Sequence, residues 1–168
     1  MDDLETAFTV DPRAQKVFTT ICTALDHLGL RRHTATNSDG SCTAHAGVIS
    51  DEFRLRLIFT VRHQIDSITL IVPLPFSAPV PYRMWAAAAV CAVNLSLFEG
   101  LFEYNMQDGS FFFRMTENYM DAQIGEQQIR AMCYKATHFI DRYGIKLRRF
   151  CEGVVTLEEF IEDVKLKE

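Results

Sequence analysis

The sequence predicts an α+β domain: a largely antiparallel sheet packed by helices, in the order helix, three strands, helix, two strands, helix, short helix. Three observations carry this. Apolar spacing changes from three-or-four to two near Leu30 and holds there as far as Leu74. A second pair of alternating segments flanks Asp108-Gly109. Strands fall in groups instead of alternating singly with helices, which favours antiparallel pairing over crossover units. The 168 residues are 48% hydrophobic and 23% charged, a balance that suits one folded domain and excludes a disordered or fibrous chain. Residues 11–168 are expected to form that single domain, after an N-terminal extension of residues 1–10.

Each element has local cause. Asp11 can cap the first helix, Pro12 suits its first position and Gly29 follows its end. Val17, Phe18, Ile21, Leu25 and Leu28 form its stripe. His33–Ser38 reads as an edge piece or a loop, and Cys42–Ile49 as a strand of small residues. Phe53, Leu55, Leu57, Phe59 and Val61 alternate with Arg54, Arg56, Ile58, Thr60 and Arg62, and Ile68, Leu70 and Val72 continue the pattern after a turn. The proline-rich stretch Pro73–Pro81 is expected to end this part of the sheet.

A helix nearly apolar all round is expected over Tyr82–Phe98, with Arg83 its only charge. Such a helix must be covered on more than one side. Asp108-Gly109 then predicts a two-residue hairpin turn, pairing Tyr104 with Phe113, Phe102 with Met115 and Glu103 with Arg114. A third helix over Gly125–Tyr143 carries the stripe Ile129, Met132, Cys133, Ala136, Phe139, Ile140 and Tyr143, with Gly144 ending it. Thr156 and Glu159 form a capping box for the last helix, with Val155 and Phe160 as its staple.

Composition limits function. A net charge of −5 argues against nucleic acid or an anionic membrane as the main partner. The longest apolar run, Met84–Phe98, has about 15 residues against the roughly 20 of a membrane span. Five scattered cysteines without a C-x-x-C pair, and the acidic start Met1-Asp2-Asp3-Leu4-Glu5, point to a reducing cytoplasm. Cys42-x-x-His45 has metal-ligand types, but three residues apart on a strand means opposite faces, so no metal is expected. There is no nucleophile elbow and no glycine-rich phosphate loop. Cys151 lies beside Arg148 and Arg149, which can lower a thiol pKa, but no general base accompanies it by spacing. The basic run Arg142, Lys146, Arg148 and Arg149 reads as a solvated face. No catalytic residue and no cofactor is expected. Phe76, Met84, Trp85, Phe98 and Phe112 exceed the apolar bulk that one helical layer must hide, and mark a partner or dimer interface.

The run Val93-Asn94-Leu95-Ser96-Leu97-Phe98-Glu99-Gly100-Leu101-Phe102-Glu103-Tyr104, leading into Asp108-Gly109 and Phe113-Arg114, resembles the YbjN-like family of bacterial sensory-transduction regulators. The Asp141-Arg142-Tyr143 segment and the acidic Leu157-Glu158-Glu159-Phe160 are similar to it too, and the resemblance covers about residues 14 to 166. It implies a fold like that of type III secretion chaperones, which are small acidic homodimers holding partner segments in extended form. It carries no catalytic residues. The expectation is therefore a non-enzymatic protein-binding domain, chaperone-like or regulatory, assembling as a homodimer whose seam includes the Tyr82–Phe98 helix or a neighbouring strand edge. The alternative is a small-ligand-binding or enzymatic domain with a pocket between sheet and central helix. A structural subunit of a larger complex is the third reading. An open apolar groove would favour the first, a closed polar pocket the second.

Overall fold

The computed structural model describes residues 11–165, so the expected extension 1–10 lies outside the described residues. Helix α1 (Pro12–His27) starts as its sequence dictates. The Asp11 carboxylate accepts from the Arg13 and Ala14 amides at 2.8 and 3.1 Å. Four strands follow: β1 (Arg32–Thr36), β2 (Cys42–Ile49), β3 (Arg54–Arg62) and β4 (Ser67–Ser77). The edge-or-loop segment is thus an edge strand. After helix α2 (Arg83–Asn94) come β5 (Leu101–Tyr104) and β6 (Ser110–Asn118). Helices α3 (Glu126–Phe139), α4 (Ile145–Cys151) and α5 (Leu157–Val164) complete the α+β domain. All six strands form one antiparallel sheet in the order β1-β2-β3-β4-β6-β5.

Alternation divides that sheet into two chemically different faces. Leu57, Phe59, Leu70, Val72, Phe111 and Phe113 are fully buried on the inner face. The helices supply the other wall of this core. Phe113 packs on Phe139 of α3 with ring centres 6.0 Å apart, and Phe102 on Tyr143 at 6.4 Å. The outer face carries Arg54, Arg56, Ile58, Ile71, Phe112 and Arg114, residues classed as exposed or half-buried.

Four expectations need correction. The prolines do not end the sheet. β4 runs through Pro73 and Pro75, because its ladder with β3 stops at Ile58–Ile71 and its pairing with β6 shifts between Pro73 and Ser77. A missing N–H costs least there. Phe76 accordingly belongs to this strand and not to a loop. The central helix is shorter than expected, ending at Asn94. Gly144 does not end α3. The helical course continues through a π-turn over Ile140–Gly144 into α4. Glycine lets the helix pack closely there: a Cβ would stand 3.3 Å from the Phe53 ring, a tight contact, and 3.5 Å from Leu74. Asp141, on this π-turn, accepts from Ser50 Oγ and the amides of Asp51 and Glu52, which pins the β2–β3 turn to the helical layer.

The fourth correction is the hairpin register. Tyr104 pairs with Phe111, Phe102 with Phe113 and Leu101 with Arg114, a slip of two residues. An even slip keeps every side chain on its expected face. Glu103 and Arg114 are therefore diagonal neighbours instead of opposite ones, and still form an ion pair at 2.9 Å. The Asn105 N–H donates to the Ser110 carbonyl at 2.9 Å, so the loop Met106–Gly109 is four residues long, and tertiary contacts hold it open. Ala78 N–H donates to the Gly109 carbonyl at 2.8 Å, and the Arg83 guanidinium donates to the carbonyls of Gln107 and Asp108.

Candidate protein-binding site

A further polypeptide can join a sheet at an open edge or on an uncovered face. One edge is closed. The Phe102 N–H donates to Asn94 Oδ1 at 2.8 Å, and Asn94 Nδ2 donates to the Phe102 carbonyl at 2.9 Å. The Asn94 amide thereby stands in for the next strand beside β5. At the opposite edge, no strand pairs with the free side of β1 among the described residues. His33, Thr34, Ala35 and Thr36 of this strand are all exposed, with no proline or carboxylate to guard them.

A second surface lies on α2. Ala86, Ala89, Val90 and Val93 bury one side of the helix. Met84, Ala88, Cys91 and Leu95, spaced four, three and four apart, form an exposed stripe on the other. Met84 is 70%, Trp85 58%, Leu95 89% and Phe98 92% exposed, and no charged residue lies between Arg83 and Glu99 to solvate this stretch. Trp85 also walls a cleft of about 370 Å³ with Tyr82, Phe150 and Val155, rimmed by Glu158 and Glu159. Another cleft, about 330 Å³, opens between α1 and the segment after β6, lined by Lys16, Thr20 and Tyr119. Neither lies between the sheet and α2.

The five residues singled out in the sequence fall in four places. Met84 and Trp85 are exposed in the first turn of α2, and Phe98 is exposed in the segment that follows the helix. Phe76 faces inward, its ring 6.0 Å from Phe53 and 5.3 Å from Phe111. Phe112 lies half-buried on the outer face of the sheet. Leu95, Ala88 and Cys91 were missed. The signal for them was the charge-free run itself, because a helix apolar on every side cannot turn all of its positions to one core. The closing role of Asn94 has no sequence signal beyond its place in the YbjN-like resemblance.

The groups capable of chemistry are dispersed. Cys42 faces inward and His45 outward, as alternation on a strand requires. No group of three His, Cys, Asp or Glu with metal-binding geometry occurs among the described residues. The basic run is partly absorbed by structure: Lys146 pairs with Asp163 at 3.1 Å, and Arg148 lies over the Phe53 ring. Burial, not Arg148 or Arg149, governs Cys151, whose thiol is pushed up to about 11; burial also pushes Cys133 up to about 12. Both thiols stay protonated at neutral pH. Because their pKa is raised by folding, the neutral thiols contribute stability that is complete below the unfolded value, about 8.5, and is lost as pH rises towards the folded one. In the native protein at pH 8, a thiol reagent should label Cys91, the exposed cysteine, within minutes, while Cys133 and Cys151 react only after unfolding. Fast native labelling of Cys151, read by peptide mass mapping, would overturn this assignment.

No family model and no curated protein matches this chain. Its fold is similar to that of a chain in the solved structure of the HopA1-SchA chaperone–effector complex. The TM-score is 0.53 at 12% identity, over 80% of this chain and 98% of that one. The protein is an α+β domain whose fold is similar to that chain's, with one sheet edge capped at Phe102 and the other, β1, without a strand partner among the described residues.

Proposed function

We propose that this chain is a non-enzymatic protein-binding domain, chaperone-like or regulatory in the manner of the YbjN-like family it resembles, acting in the cytoplasm. It holds a partner segment in extended form along the free edge of β1, and it assembles as a homodimer through the apolar stripe of α2. The observation that carries the first part is the asymmetry of the sheet. The Asn94 amide occupies the β5 edge, whereas the β1 edge offers unpaired backbone groups on an exposed strand. Added strands gain main-chain hydrogen bonds without demanding one sequence, which suits a holder of extended segments. The dimer is supported by Met84, Trp85, Leu95 and Phe98, large apolar side chains that are each more than half exposed on α2 or just after it.

Successive N–H groups of a strand point to alternate sides, so Thr34→Pro and Ala35→Pro should behave differently. One removes a ladder bond to β2 and lowers the melting temperature; the other removes only an outward donor. Against an array of short peptides of varied sequence, the variant that melts normally should lose binding. Retained binding in both variants would overturn the edge reading. Light scattering at micromolar concentration should give the mass of two chains, and Trp85→Ala should weaken the dimer by about 2 kcal/mol or more. A mass of one chain sinks the dimer.

A further inference from the structure

The outer face of the sheet is charged against the trend of the protein. The net charge is −5, yet the outward ladder positions carry Arg54, Arg56, Arg62 and Arg114 with Glu103 as their only carboxylate. Glu103 is already engaged by Arg114 at 2.9 Å. Arg54, Arg56 and Arg62 enter no ion pair among the described residues. Their setting is apolar. Ile58, Ile71, Arg114 and Leu101 form one cross-strand row, and Phe112 lies beside it, opposite Glu103. The outward side of β3 therefore reads Arg54, Arg56, Ile58, Thr60, Arg62 in steps of two.

We infer that this face binds an extended acidic polypeptide segment whose carboxylates and apolar side chains alternate in steps of two, running along β3. The inference rests on the protein-binding reading above and gives that reading a second surface, the sheet face over β3, two strands in from the β1 edge. A strand laid on a sheet aligns within about 30° of it and presents every second side chain to it. Carboxylates two apart then reach Arg54 and Arg56, the next inward residues cover the half-buried Ile58 and pass over Thr60, which is already buried, and a further carboxylate meets Arg62. Arginine suits this because its fork takes a carboxylate bidentately. A nucleic acid fits less well: its charges follow one another along the backbone with no apolar side chains between them to cover Ile58 and Ile71.

The probe is a fluorescent peptide, Glu-Ser-Glu-Ser-Val-Ser-Val-Ser-Glu, titrated by anisotropy against the full chain. The wild type should bind it at least tenfold more tightly than the same peptide with Lys for Glu, or with Ser for Val. Binding should weaken from about 0.1 M to about 1 M salt, as the screening length falls from about 10 to about 3 Å. The double variant Arg54→Glu, Arg56→Glu should lose about tenfold or more and regain binding to the Lys peptide; Arg54→Gln, Arg56→Gln is the milder variant, and melting curves check both folds. Equal affinity for the Glu and Lys peptides, unchanged affinity in the arginine variants, or equal competition by a thymidine oligonucleotide would overturn the inference. Loss in the edge proline variant alone, with the arginine variants unaffected, would overturn it while leaving the β1 edge reading intact. Failure of the varied peptide array in the wild type would instead remove the edge reading.

Discussion

Phe113→Ala should lower stability by about 3–5 kcal/mol, the cost of removing a buried aromatic and leaving a partly relaxed cavity. Phe113 is fully buried at the place where the helical layer meets the sheet. Its ring lies 5.1 Å from Phe102 of β5 and 6.0 Å from Phe139 of α3, so the cavity opens where the β5–β6 hairpin meets α3. Total stability of a domain is about 5–15 kcal/mol, and each kcal/mol is worth about 2–4 °C at this size. The melting temperature should therefore fall on the order of 10 °C. Phe112→Ala, one residue away on the outer face, should cost much less, because its half-buried ring faces no helix. Equal losses from the two substitutions, measured by urea and thermal unfolding, would show that the assignment of faces on β6 is wrong.

Gly109→Ala should cost about 2–4 kcal/mol through two separate effects. Gly109 has φ +81, a left-handed conformation that costs other residues about 1–2 kcal/mol. A Cβ there would also stand 2.4 Å from the Ala78 carbonyl oxygen and 3.2 Å from its nitrogen. Backbone cannot yield as a flexible side chain can, so the loop must retreat and break the Ala78–Gly109 hydrogen bond of 2.8 Å. Gln107→Ala changes a neighbouring exposed side chain while keeping the carbonyl that Arg83 uses, and should stay within about 0.5 kcal/mol of wild type. If Gly109→Ala melts like the wild type, the four-residue loop docked on Ala78 is not the native one.

The same loop shows why sequence gave the right faces but the wrong partners. Asp108-Gly109 is a strong two-residue turn signal, and its apolar residues match in the expected register. Periodicity of two, however, cannot distinguish registers that differ by two residues. What distinguishes them is Arg83 reaching the loop carbonyls and Ala78 bonding Gly109, contacts between residues about 25 and 30 positions apart. Gly144 teaches the same lesson. A glycine after an apolar helical stripe reads as a terminator, yet here it is the place where the helix can approach Phe53 and Leu74.

The candidate surfaces were legible to different depths. The absence of charge from Met84 to Phe98 already announces a helix that one layer cannot cover, and Met84, Trp85 and Phe98 indeed stand exposed. The contrast of Arg54 and Arg56 with Leu55 and Leu57 is written in the alternation, but that β3 lies among neighbours assembling a basic face is not. Local features were legible in the chain: the α1 cap at Asp11, the capping box at Thr156, the two-sided pattern of β3, and so the α+β class. That β6 inserts between β4 and β5, that Asn94 caps one edge at Phe102, and that β1 has no strand partner at the other among the described residues emerges only from the folded chain. Range explains the division. Caps and periodicities are fixed by neighbours within a turn or a strand, whereas edges and registers depend on which distant segments bury the same core.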